Sequence, residues 1–533
     1  MKLPRLLSAF TLVLLVGGPA TLAHAQATHS DHLGQVQFST SCQQATQEDV
    51  NRAVALLHSF WFDASAKAFE SVTQQDPNCA MAYWGVAMTW LGNPFAWPPN
   101  PKGLLEGWAA VEKAKAIGGK TPREQAYIAA VEAFYKDADK IDHRTRALAY
   151  ERAMEQLHRT YPDDREAAVF YALALNATAL PADKTYANQL KAAQILEGIF
   201  TEQPNHPGVA HYLIHSYDYP PIADRGLSAA RRYAGIAPAA PHALHMPTHI
   251  FTRRGYWQES IDSNRASAAA AKNQFDQLHA MDYLVYAHLQ LGQDAAAKRV
   301  LDDMTAIEKV TFEHFVTAYA MAAIPSRYAL ERRQWADAAA LTLPRSDFPW
   351  NRFPQSEAVL VYAHALGAAR SNNVDAARKD LERLQALRDA LATAKLGYWV
   401  EQVEIQHQVV TAWVAFAQGR HDEALQIMRT AADREEATEK HPVTPGPLVP
   451  ARELLGEMLL AADQPQAALQ AFEASIQVEP NRFWGVYGAA RAAELAGDRD
   501  KANTYYAQLI ALAERTDSMR PALAQAKEFI GKR

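Results

Sequence analysis

Two histidine pairs constrain this chain more than anything else in it. His211 and His215 lie four residues apart, one turn from each other on a helical face, and His245 and His249 repeat that spacing. Each member of the second pair follows its counterpart by 34 residues, the period of a two-helix solenoid unit. Equivalent places on neighbouring units become spatial neighbours, so the spacing predicts stacked helical hairpins and four converging imidazoles.

Composition agrees with a helical array. The 533 residues are 49% hydrophobic and 21% charged, ordinary for a folded chain, and long enough for one extended array or two packed blocks. From Thr46 onward Ala, Leu, Glu and Gln dominate, with apolar residues at helical spacing and little that reads as strand. Ahead of this, Lys2 and Arg5 precede an apolar run from Leu6 to Val16 and then Ala23-His24-Ala25, the layout of a signal peptide over residues 1–25. The run is shorter than the roughly 20 residues a span needs. The expectation is therefore a mature chain from Gln26, periplasmic or secreted, with no membrane insertion after cleavage. Loss of Lys2 and Arg5 takes the formal charge from −6 to −8, and no basic tract offers a surface for nucleic acid. The only cysteines, Cys42 and Cys79, are expected to pair in an oxidising compartment.

The internal register carries a resemblance. Phe69, Val72 and Pro77 are spaced as in the second helix and closing turn of a tetratricopeptide repeat, and Tyr83, Val86, Ala87 and Trp90 fit the first helix of the next. Ala192, Leu196, Ile199 and Pro204 repeat the frame, as do Ala297, Leu301 and Met304, then Ala377, Leu381 and Leu384. The fullest copy is Gly456, Ala468, Phe472, Ser475 and Pro480. On these residues the chain resembles the tetratricopeptide-repeat family over nearly all of its mature length. The fold expected is an all-α solenoid of helix-turn-helix repeats, in which small residues let paired helices approach and Pro ends each unit.

Three irregular stretches interrupt the array: residues 92–103, 341–355 and 441–450, all rich in Pro. The second is the expected boundary between an N-terminal block, 26–345, and a C-terminal block, 356–533. The other two are candidates either to drape over the concave face or to be plain surface linkers.

In the tetratricopeptide family the first helix of each repeat lines the concave surface. The resemblance then puts Gly208, His211, His215, Asp218 and Tyr219 in the groove, followed one repeat on by His242, His245, His249, Thr252 and Arg253, and then by His279, Asp282 and Tyr286. Imidazoles one turn apart chelate well, and a neighbouring helix can complete the set. His211, His215, His245, His249 and Asp218 are the expected metal ligands. A set of nitrogen and oxygen donors suits Zn, Cu, Ni or Fe. His242, Arg253, Asp282, Tyr219 and His279 are the expected contacts to a ligand. Asn264 stands where the repeat packs a large apolar residue and needs a partner, which the His249 helix is placed to supply. His206 and His58 read more simply as turn and core residues, and Trp84, Trp90 and Trp97 as packing residues.

Other chemistry is scarce. No His-Glu-x-x-His, paired-cysteine motif or Gly-x-Ser-x-Gly elbow occurs, and residues 117–121, IGGKT, lack the first Gly of a phosphate loop and read as a helix end before a Thr121 cap. Two functions remain: a binding scaffold holding a peptide, protein or small polar ligand in its groove, or a metal-dependent hydrolase or oxidoreductase built on the histidines.

Overall fold

The computed structural model describes residues 32–531, and among these every regular element is a helix. The signal-peptide reading falls outside the described residues. Successive helices pack on their chain neighbours, and alternate helices also touch, as a solenoid of hairpins requires. No helix among the described residues is long and apolar enough to cross a membrane.

The repeat frame works through close approach. A Cβ on Gly85 would sit 2.3 Å from the Phe69 ring, and Gly456 and Gly488 flank Phe472 so tightly that added carbons would fall 2.7 and 2.2 Å from it. Only hydrogen fits there, so Phe69 and Phe472 fill the space that glycine leaves in the helices packed against them. Thr121 caps its helix through a reciprocal pair with Glu124, with Pro122 in the first turn.

Cys42 and Cys79 form a disulfide across 37 residues, fastening the N-terminal segment to the start of the helix Ala80–Leu91. The hydrophobic core divides into two clusters, one from Leu33 to Phe251 and one from Trp257 to Ala526. The core thus divides between the helices Pro247–Arg254 and Trp257–Ala270. The expected block boundary at 341–355 does not coincide with that seam: Phe348, Trp350 and Phe353 are buried inside the second cluster.

The other two Pro-rich stretches do lie over the groove. Phe95, from the first, stacks on His215 with ring centroids 3.9 Å apart. The strap before the helix Ala451–Ala461 is tied down from below: Tyr283 Oη donates to the Thr444 carbonyl at 3.0 Å, and buried Arg327 donates to Thr444 Oγ1 and to the carbonyls of Gly446 and Pro447.

Removing the disulfide frees a loop of 37 residues in the unfolded chain, which chain-entropy arguments value at about 4 kcal/mol. The double variant Cys42→Ser, Cys79→Ser should unfold at a clearly lower denaturant concentration than the oxidised protein; equal midpoints would show the bridge to be without consequence for stability.

Candidate metal centre

Four short helical segments carry the histidines. His211 and His215 lie on Pro207–Tyr217, His242 and His245 on Pro241–His245, His249 on Pro247–Arg254, and His279 on Gln274–Gln290. The sequence alone suggested one helix through 242–253. Instead the helix breaks before Pro247, which has no N–H to continue the ladder.

Six imidazoles gather, and they gather as two triads rather than as one set of four. In His211, His215 and His242, and again in His245, His249 and His279, one ring nitrogen from each member lies within 4.8 Å of the others. In the first triad His211 Nε2 is 3.1 Å from His215 Nε2 and 3.2 Å from His242 Nε2. The triads adjoin: His215 and His249 have ring centroids 6.1 Å apart, and His242 and His245 6.3 Å. His211, His215, His245 and His249 are buried, while His242 and His279, one from each triad, are partly exposed.

Hydrogen bonds behind three of the rings fix which nitrogen faces inward. His211 Nδ1 is 2.7 Å from the His58 carbonyl, so it must carry the proton and Nε2 the lone pair. His249 Nδ1 meets Asp218 Oδ2 at 2.9 Å, and His245 Nδ1 meets Asn264 Oδ1 at 2.8 Å, with the same result. Asn264 in turn donates through Nδ2 to the Ser260 carbonyl. The partner of the buried Asn264 is therefore His245, one segment earlier than the His249 helix. Two nitrogens of the second triad's rings, His245 Nε2 and His279 Nδ1, are buried without any hydrogen-bond partner. A buried lone pair with nothing to accept is costly, and a cation among three such nitrogens would satisfy all of them.

Asp218 sits behind the second triad. Both its oxygens are engaged: Oδ1 by Arg253 Nε at 2.8 Å, and Oδ2 by His249 and, at 3.1 Å, by Lys440 Nζ from the strap. Burial alone would raise this carboxyl, yet the charges of Lys440 and Arg253 hold it well below the usual range. Arg253 is spent on Asp218 and has Glu439 at 3.9 Å. Asp282 makes a buried ion pair with Arg327 at 2.7 Å through Oδ1, its Oδ2 having no hydrogen-bond partner, and Tyr219 packs against Tyr186.

Beneath the first triad lies a network that sequence reasoning set aside as core and turn residues. Glu166 takes His58 Nε2 on one oxygen and His206 Nε2 on the other, each at 2.8 Å, while Tyr212 Oη meets His58 Nδ1 at 2.9 Å and His206 caps its helix through Val209 N. Both ring nitrogens of His58 and of His206, and both oxygens of Glu166, are engaged within the network. It holds the His58 carbonyl where His211 needs it. Gly208 makes room, since a Cβ there would fall 2.6 Å from His58 Nδ1. Around the triads stand Phe60, whose centroid is 4.4 Å from His211, and Tyr283, 4.7 Å from His245. Phe60, Phe95 and Lys440 follow no repeat position, so nothing in the register pointed to them; Tyr283, 34 residues after His249, does follow it and could have been found that way.

Burial drives the imidazoles toward the neutral form. His211, His215, His242 and His279 all lie well below the ordinary histidine value, and His245 is pushed down to about 3 by burial and by its neighbour His249. Neutral imidazole is the form that binds metal.

No family model matches the chain, and no curated protein does. Among solved structures it is similar to the TPR domain of P58(IPK) at 13% identity, over 69% of this chain and 99% of that one, with a TM-score of 0.22. It is likewise similar to Naa15/Naa10 bound to HypK-THB at 12%, over 91% and 73%, TM-score 0.26, and to the APC/C hetero-tetramer Cut9–Hcn1 at 11%, over 91% and 95%, TM-score 0.29. Scores this low leave the fold to rest on the helix packing described above.

The metal-free protein should lose stability in acid. Histidines depressed in the folded state stay neutral while those of the unfolded chain protonate below about 6.5. Each such group then costs about 1.4 kcal/mol per pH unit as pH falls further. Urea midpoints of metal-free protein should therefore drop steeply between pH 7 and pH 5. A flat profile would show the rings free to protonate in the folded protein.

Proposed function

We propose that the protein is an exported metalloprotein whose solenoid presents two adjacent three-imidazole sites, and that a pair of transition-metal ions held there performs its chemistry. The observation that supports this most is the pair of buried, partnerless nitrogens, His245 Nε2 and His279 Nδ1, in a cluster whose other faces are anchored by Asn264 and Asp218. Three protein ligands per ion leave coordination positions open, as catalytic sites require and closed structural sites do not. In this reading His242 and His279 are ligands, and Asp218 and Asn264 orient imidazoles without touching metal. The partly exposed edges of His242 and His279 are where a substrate would approach.

A second reading has its own support. On the far side of Lys440 a cavity of about 920 Å³ is lined by Lys184, Arg253, Tyr398, Trp399, Glu435 and Glu479 among others. It fits the groove-binding role of repeat scaffolds for a peptide or small polar ligand. None of the six histidines lines it. The imidazoles and this cavity are thus separate features, and the metal reading does not depend on what fills the latter.

Protein purified without a histidine tag, stripped and reloaded, should retain two metal ions per chain by elemental analysis. Asn264→Ala should weaken the second site roughly 10- to 100-fold, the usual effect of losing an orienting partner, and leave the first untouched. Failure to hold any of Zn, Cu, Ni or Fe in stoichiometric amount would overturn the proposal.

A further inference from the structure

Taking the metal reading as its base, we infer that the two triads hold a pair of copper(I) ions and that the pair takes up dioxygen. Every group offered to the metals is a neutral imidazole, and no carboxylate or thiolate joins either triad. Asp218, the acid behind the second triad, is occupied by His249, Arg253 and Lys440 and cannot bridge. Glu166, behind the first, is occupied by His58 and His206. Two divalent ions would therefore bring four positive charges into an enclosure with no free protein anion, beside a buried arginine and lysine. Uncompensated buried charge of that kind is expensive. Two copper(I) ions bring half as much, and neutral nitrogen donors suit copper well.

The second step is the pairing. The triads adjoin at the His215–His249 and His242–His245 ring contacts, at 6.1 and 6.3 Å between centroids, so ions held in them would be near neighbours. A small molecule held between them would touch both ions. Its approach is lined by apolar rings: Phe60 packs 5.6 Å from His242, and Phe275 lies 6.3 Å from His279 and 6.3 Å from the half-exposed Phe312. Such walls admit an uncharged diatomic more readily than an anion.

The redox balance closes without further parts. Each copper(I) gives up one electron; dioxygen takes both and is held between the ions as peroxide, its O–O bond reduced from double to single. Two copper(II) with one peroxide dianion carry the same total charge as two copper(I), so no proton or counter-ion has to enter the enclosure. A site with no anionic ligand is poorly matched to two bare dications, and well matched to a pair whose oxidation delivers its own bridging anion.

The test uses the full mature chain, stripped of metal, loaded under argon with two equivalents of copper(I), and then exposed to dissolved dioxygen. The expected result is uptake of one dioxygen per two coppers, a strong near-ultraviolet peroxide-to-copper(II) absorption, and no copper(II) paramagnetic resonance signal, because the two ions are coupled. His242→Ala and His279→Ala, which each break one triad at its exposed member, should each keep one copper, lose the absorption band, and show at most the signal of an isolated copper(II). Loaded wild-type protein that is inert to air, or that oxidises to two isolated copper(II) ions, would overturn the inference. Should the same histidines hold two zinc ions while the copper form ignores dioxygen, the metal reading survives and this one fails. Should nothing bind, both fail.

Discussion

Six uncharged imidazoles gathered together, four of them buried, are the constraint to which the surrounding structure answers. Histidine in water is partly protonated near neutrality, and like charges so close would repel, so the site exists only if the rings are kept dry and each proton is directed outward. The His58 carbonyl, Asn264 and Asp218 do the directing, and Phe60, Phe95 and Tyr283 exclude water. On His211, His245 and His249 the nitrogen left inward carries a lone pair.

That requirement explains features that otherwise look wasteful. A polar Asn264 in a helix-packing position, a fully buried Glu166 between two histidines, and a Lys440 pushed down to about 8 by burial, though drawn upward by Asp218, all cost stability on their own. Each becomes reasonable as support for a ring. Glu166 holds His58 and His206, which fixes the carbonyl behind His211; Asp218 holds His249 while the strap, through Lys440, holds Asp218. The solenoid provides the coarse placement and these groups the fine one.

The sequence was most legible where periodicity governs. The 34-residue recurrence placed the histidine pairs on adjacent units, the Gly and Phe positions marked helix pairs that the structure packs ring against glycine, and Cys42 and Cys79 proved close enough to join. It was less legible where the chain departs from the repeat. Pro247 splits the second histidine helix, and the four paired histidines fall into two groups by pair, each completed by a third ring, His242 or His279. Asp218 has both oxygens bonded to side chains rather than open to a cation, because Arg253 and Lys440 reach it; Lys440 comes from a strap more than two hundred residues away, which no local pattern could reveal. His58 and Glu166 also meet only through tertiary contact.

The central claim is that the inward lone pairs of two separate triads each enclose one cation. Anomalous diffraction from crystals of the metal-loaded protein, recorded at the metal absorption edge, tests it most directly. The account predicts two peaks, one among His211, His215 and His242 and one among His245, His249 and His279. A single peak elsewhere, at Glu166 or within the cavity beyond Lys440, or no peak in protein exposed to excess metal, would contradict it.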